Sequence, residues 1–200
     1  DRIESRGLGD VYKRQFEGFV MPLNSARIHD VPDDPLAAID YCYEQGWTDG
    51  LPVVPPSVER VDHMLEYEGR PAATVISSHP ATGFECTLHA AAVNAVMAGC
   101  KPEFFPVIVA AFEAMNEPDF NFHGSTASTG GSAPLLVVSG PMAVELGMNS
   151  DVNLFGPGNR ANATIGRAVR LILMNVFRMI PGVSDLSLIH ISEPTRLNPI

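Results

Sequence analysis

Cysteine is scarce in this chain, and its spacing argues against two classes of small protein. The sequence has 3 cysteines in 200 residues, at positions 42, 86 and 100, and none of them forms a CxxC pair. Disulfide-stapled folds and structural zinc sites both need more cysteines at closer spacing. No HExxH pattern or carboxylate–histidine cluster occurs in the sequence, so no metal site is indicated. This cysteine usage is typical of a protein in a reducing cytoplasm.

Basic residues are few relative to acidic ones. The 13 lysines and arginines against 23 aspartates and glutamates give a formal net charge of −10. Nucleic-acid binding requires a basic face, which this balance argues against. No apolar run reaches the length of about 18 residues that a membrane span requires. We therefore expect neither a nucleic acid nor a membrane as a partner.

The two ends of the chain share one origin. Residues 5–15 (SRGLGDVYKRQ) and residues 186–196 (LSLIHISEPTR) can be encoded by the two strands of a single DNA string. That string resembles a transposase-type sequencing adapter, and segments of this kind are set aside before the fold is considered. We expect residues 1–15 and 186–200 to be non-native. We expect residues 16–185 to form a single domain, truncated from a longer protein.

Helix start and stop residues recur along the remaining sequence. An acidic or hydroxyl residue precedes three apolar stretches, at Asp34, Ser57 and Thr87, as is typical of helix N-caps. The predicted helices cover residues 35–46, 58–66, 88–98, 103–115, 142–146 and 159–180. Short extended segments are predicted at residues 51–54, 73–77 and 135–139. The sequence therefore predicts a helix-rich mixed α/β domain with a small sheet of short strands.

A glycine loop precedes the longest predicted helix and is the best candidate for a ligand site. Residues 156–162 read GPGNRAN, and the candidate binding residues in it are Gly156, Gly158, Asn159, Arg160 and Asn162. Glycines allow backbone amides to approach a ligand, and a helix N-terminus carries partial positive charge. The guanidinium of Arg160 suits two-point binding of a carboxylate or phosphate. The spacing is not the GxGxxG dinucleotide pattern, and no Walker-type lysine follows the loop.

Further arginines follow on the same predicted helix. At 100° per residue, Arg167 lies about 20° from Arg160 around the helix axis, so it is a second candidate for ligand binding. Asp49, in the turn TDG, is a further polar candidate. The alternative is that these arginines form structural salt bridges with acidic groups of the domain or of a subunit partner.

A polar loop is predicted at residues 123–134, and it is rich in hydroxyl groups. His123 is a candidate general base, and Ser125 with Thr126 are candidate ligand contacts. A Ser125–His123 pair would resemble a nucleophile with its base, but no GxSxG pattern surrounds it. The alternative is an ordinary solvent-exposed loop.

Cys100 is the candidate reactive thiol. It lies next to Lys101 and just before a predicted helix start, and both features lower the pKa of a thiol. A catalytic thiolate is therefore one hypothesis. The alternative is that Cys100 is a buried apolar filler, as free cysteines usually are.

Three blocks of the sequence resemble a poorly characterised bacterial family. They are GWTDGLPVVPPS (46–57), AVNAVMAGCKPEFFPVI (92–108) and FGPGNRANATIGRAVRLIL (155–173). Members of that family neighbour small proteins with a UGSC motif, in which U is selenocysteine or cysteine. The resemblance implies thiol or selenol redox chemistry, distantly like that of glycine and betaine reductases, with a UGSC-type protein as partner. The family has a second histidine in the loop after His123, and this chain lacks it.

Two functions follow as hypotheses. In the first, the chain is an enzyme or enzyme subunit that binds a small anionic molecule through Arg160 and the glycine loop. His123 would then act as acid or base, Cys100 as a thiol, and the reaction would be of redox or lyase type. In the second, the chain is a non-catalytic scaffold or partner subunit of a UGSC-type redox protein. The sequence indicates no particular cofactor, and a homo-oligomer is compatible with either hypothesis.

Overall fold

The computed structural model describes residues 29, 31, 34–126 and 133–180, without the side chains of Ser125 and Thr126. Its helices are α1 (Pro35–Glu44), α2 (Val58–Glu68), α3 (Leu88–Ala98), α4 (Phe105–Met115), α5 (Phe122–Thr126), α6 (Pro141–Glu145) and α7 (Arg160–Asn175). Its strands are β1 (Val75–Ser78) and β2 (Glu85–Thr87). Single 3₁₀ turns at Pro102–Phe104 and Pro118–Phe120 precede α4 and α5. The predicted helix-rich α/β class with a small sheet is confirmed.

Helices α1, α2 and α3 begin where their capping residues were predicted. The side chains of Asp34, Ser57 and Thr87 each accept a hydrogen bond from the backbone N–H three residues further on, at 3.0, 3.4 and 3.2 Å. Such a cap satisfies one of the N–H groups that have no partner within the helix. Gly69 and Gly99 end α2 and α3 in the left-handed conformation, which glycine adopts without strain.

The sheet is a two-stranded antiparallel ribbon. Val75 lies opposite Thr87 and Ser78 opposite Glu85, with an irregularity between Val75 and Ser77. The amide of Asn116 donates a 2.8 Å hydrogen bond to the carbonyl of Ile76. Because Asn116 follows α4 directly, this bond ties β1 to the end of that helix.

The core surrounds α3, which is buried along most of its length. Five of its residues have small alanine side chains, and these permit close approach by α7, the helix that packs most extensively against α3. Helices α2 and α4 pack on α3 as well. The apolar stripe of α7 completes the core with Ala161, Ile165, Ala168, Val169, Leu171, Ile172 and Leu173.

Two segment predictions were wrong. Residues 135–139 form no strand in the structure, and among the described residues they have no neighbour that pairs with their backbone. Helix α7 ends at Asn175, before residue 180, because Arg178 adopts a left-handed φ of 59° that a helix cannot continue through.

The polar loop predicted at residues 123–134 begins as helix α5. Its residues 127–132 lie outside the described residues, as do the two adapter-like ends. None of the helices in the described part of the chain combines the length and the apolar character that a membrane crossing needs.

Candidate functional site

Asn159 and Asn162 organise the loop that leads into α7. Asn159 caps the helix by accepting a hydrogen bond from the N–H of Asn162 (2.9 Å), and its amide donates to the carbonyl of Gly147 (2.7 Å). The Asn162 amide donates to the carbonyls of Asn149 (2.8 Å) and Leu154 (3.2 Å) and accepts from the N–H of Asn149 (3.1 Å). Both predicted ligand-binding amides are therefore engaged by the chain's own backbone.

The two glycines of the loop have different structural roles. Gly158 has a φ of 115°, where a side chain would be strained. Gly156 donates its N–H to the carbonyl of Asn153 at 2.8 Å. A Cβ atom on Gly156 would displace the side-chain amide of Asn153. The loop thus needs glycine at 158 for its backbone conformation, whereas glycine at 156 leaves room for the Asn153 side chain.

Arg160 is the first residue of α7, and its guanidinium reaches the end of α3. Its Nε and Nη2 donate hydrogen bonds of 3.1 and 2.8 Å to the carbonyl of Gly99, the residue that caps α3. A cation is favoured at a helix C-terminus. Two of the five guanidinium N–H groups are used in this way. The side chain is exposed, and among the described residues no carboxylate pairs with it.

Arg167, two turns further along α7, has a different role. It binds both carboxylate oxygens of Asp49, with Nε at 2.9 Å and Nη2 at 2.8 Å. It also donates to the carbonyls of Leu51 and Pro52. The hydrogen bonds from Arg167 hold the pKa of Asp49 below its usual value of 3.8, although burial opposes that shift. Arg167 and Asp49, both predicted to bind a ligand, thus form an ion pair with each other. This structural salt bridge was the alternative expected for Arg167.

Cys100 is buried at the contact between α3 and α7. Its Sγ donates a 3.3 Å hydrogen bond to the carbonyl of Thr164. Burial raises the pKa of the thiol to about 11, and this outweighs the lowering effects of that hydrogen bond and of the Arg160 charge. The expectation of a lowered pKa is therefore wrong, because the covering helix excludes water from the thiol. Burial also raises the pKa of Cys86, to about 12, and that of Cys42.

His123 lies in α5 with its ring 5.4 Å from the ring of His79. His79 is buried after β1, and its Nδ1 accepts a hydrogen bond from the backbone N–H of Thr82 at 3.2 Å. Burial, and then the charge of His123, lower the pKa of His79 from 6.5 to about 4. His79 was not singled out from the sequence, because its proximity to a residue 44 positions away depends on how the chain folds. The side chains of Ser125 and Thr126 lie outside the described part, so a Ser125–His123 pair stays a prediction.

The predicted site residues lie at opposite ends of α7. Arg160 begins this helix, whose 16 residues correspond to about 24 Å. Phe177 follows the helix, and its ring lies 6.4 Å from the ring of His79, the neighbour of His123. The structure therefore brings Cys100, Arg160 and the glycine loop together near the N-terminal end of α7. His123 lies towards the C-terminal end of that helix.

No family model, curated protein or solved structure matches this chain. The family resemblance of the three sequence blocks stays an expectation. Among the described residues, no group of three or more histidine, cysteine, aspartate or glutamate side chains could hold a metal ion.

Proposed function

We propose that this chain is an enzyme subunit that binds a small carboxylate or phosphate at the N-terminus of α7. The observation that carries the proposal is the placement of Arg160. The carbonyl of Gly99 holds its guanidinium in position, the side chain is exposed, and no described carboxylate neutralises it. Arg167, by contrast, already binds a carboxylate of its own chain.

Local electrostatics support this position within an acidic chain. The net charge of −10 repels anions from most of the surface. At the start of α7, the partial positive charge of the helix N-terminus adds to the full charge of Arg160. The exposed ring of Phe155, next to the glycine loop, offers an apolar contact for the remainder of a small ligand.

The reactive group of the proposed enzyme comes from a partner protein and not from this chain. Cys100 stays protonated at neutral pH because it is buried, and His123 lies towards the far end of α7. A thiol or selenol redox step, or a lyase step, would therefore take its reactive group from a partner such as a UGSC-type protein. This chain would contribute the anchor for the anionic substrate.

Calorimetric titration with inorganic phosphate and with acetate tests the anchor. Arg160→Ala should weaken binding of these probes at least about tenfold, the loss expected for one charge-assisted two-point contact. Arg60→Ala is the matched control, because it removes an exposed arginine from α2. Equal binding by wild type and Arg160→Ala would contradict the proposal, as would equal losses in the two variants.

The scaffold function is a second candidate, favoured by a separate observation. All three cysteines are buried, so no described thiol is exposed for chemistry. A scaffold subunit would bind its redox partner without binding phosphate or acetate. The same titration therefore separates the candidates, because a scaffold would show no binding that depends on Arg160.

A further inference from the structure

Residues 135–139 (LLVVS), here called the edge segment, have the exposure pattern of a β-strand. Leu135 and Val137 are 68% and 83% exposed, whereas Leu136 and Val138 pack against the core. An alternation with period two is the geometry of extended backbone, in which successive side chains point to opposite sides.

The backbone of the edge segment has no hydrogen-bonding neighbour in the described part of the chain. Towards the described residues, its N–H and C=O groups therefore form a template for another strand. An apolar groove of about 460 Å³ runs beside the segment, and small side chains of α4 form its other wall at Ala110, Ala111 and Ala114. An incoming strand would gain both backbone hydrogen bonds and apolar contact.

The charge distribution indicates the occupant. The chain carries 23 acidic residues against 13 basic ones, so two copies repel each other over most of their surfaces. Neither the edge segment nor any residue that lines the groove beside it carries a charge. On this surface a second copy of the same acidic chain would meet no opposing like charge.

We propose that the edge segment pairs antiparallel with the edge segment of a second copy of this chain. A twofold axis through Val137 would place Val137 opposite Val137, Leu135 opposite Ser139 and Leu136 opposite Val138. Each pair is uncharged, and four of the five residues in the segment are apolar. The pairing joins the half-buried side of each segment into one continuous apolar face.

The neighbouring residues set the length of the pairing. Pro134 has no N–H to donate, and Gly140, with a φ of 91°, turns the chain into Pro141. Five paired residues alone are marginal in water. Helix α6 adds apolar surface beside them, with Val144 81% exposed and Met142 about half exposed. We therefore expect a reversible dimer whose population rises with protein concentration.

Sedimentation equilibrium and amide hydrogen exchange over a concentration series test this dimer. Wild type should shift from monomer to dimer between about 5 and 500 µM, as mass action requires. The alternate amides of residues 135–139 that point at the partner strand should become protected as it does so. Val137→Lys places two lysines opposite each other, which disfavours pairing, and should stay monomeric. Val152→Lys adds the same charge at a residue of equal exposure outside the edge segment and should still dimerise.

Charge pairing across the axis gives a second, independent readout. A mixture of Val137→Lys with Val137→Glu should form a heterodimer, because opposite charges then face each other. Neither variant should form a homodimer alone.

Arg160→Ala should dimerise like wild type, so failure of the anion site leaves this result unaffected. A wild type that stays monomeric at about 500 µM would overturn the proposal, as would a dimer that persists in Val137→Lys. A monomer whose melting temperature falls in Val137→Lys would also overturn it, because the segment would then be covered within one chain.

Discussion

Arg167 and Asp49 form a two-point ion pair between residues 118 positions apart in the sequence. The pair fastens the turn at residues 48–50 to the middle of α7. Two backbone carbonyls that follow the turn, those of Leu51 and Pro52, also accept from the same guanidinium. This one side chain therefore positions a stretch of chain that has no regular secondary structure of its own.

The ion pair predicts a measurable coupling. Asp49→Ala should lower the free energy of unfolding by about 1–3 kcal/mol, because a partly buried guanidinium loses its charged acceptor. A double-mutant cycle with Arg167→Ala, followed by urea unfolding, should give a coupling energy above about 0.5 kcal/mol. Asp62→Ala, which removes an exposed carboxylate from α2, should lower the free energy of unfolding by less than Asp49→Ala does. A cycle with no coupling would show that the pair contributes nothing to the fold.

The cysteines give a prediction about reactivity. Cys42, Cys86 and Cys100 are all buried, and burial raises the pKa of each thiol. A disulfide reagent such as dithionitrobenzoate reacts with the thiolate. Folded protein at pH 8 should therefore release almost no colour, and urea-unfolded protein should release one equivalent for each of the three cysteines.

Cys100→Ser serves as the control for this titration. If folded wild type reacts rapidly at one thiol and Cys100→Ser does not, Cys100 is accessible after all. The hypothesis of a catalytic thiol would then regain its support. A slow reaction that follows the unfolding rate would instead agree with the buried position.

Local sequence determined much of the secondary structure, and the site depended on contacts that sequence does not display. The caps at Asp34, Ser57 and Thr87 act within one helical turn, so residue type and spacing were sufficient to predict where those helices begin. Residue type also predicted an extended segment at residues 135–139, but a strand requires a paired neighbour as well, which the described residues do not provide.

Cys100 shows that the chemistry of the candidate site also depends on contacts distant in the sequence. Its local surroundings, a helix start and Lys101, favour a lowered pKa. Helix α7, which begins 60 residues further along the chain, packs over the thiol, and the resulting burial raises the pKa instead. The separation of Arg160 from His123 likewise follows from the length and packing of α7. No local pattern in the sequence contains that information.

His79 predicts how the stability of the fold depends on pH. The unfolded chain takes up the His79 proton near pH 6.5, and the folded chain takes it up only near pH 4. The unfolded state therefore binds more protons between these values, so the folded state loses stability as the pH falls from about 6.5 to 4. The slope due to this group is up to about 1.4 kcal/mol per pH unit. Above pH 6.5 its contribution should be constant.

Urea unfolding at several pH values between 4 and 8 measures this slope. His79→Asn should flatten it between pH 6.5 and 4, because asparagine keeps a side-chain acceptor for the N–H of Thr82 and cannot take up a proton there. His63→Asn, which removes an exposed imidazole from α2, controls for the loss of a histidine as such. Because burial of His79 causes the shift, a His79→Asn variant with the same slope as wild type would mean that other groups govern the acid sensitivity. A flattened slope in His79→Asn alone would identify the buried imidazole beside His123 as the group that makes this fold sensitive to mild acid.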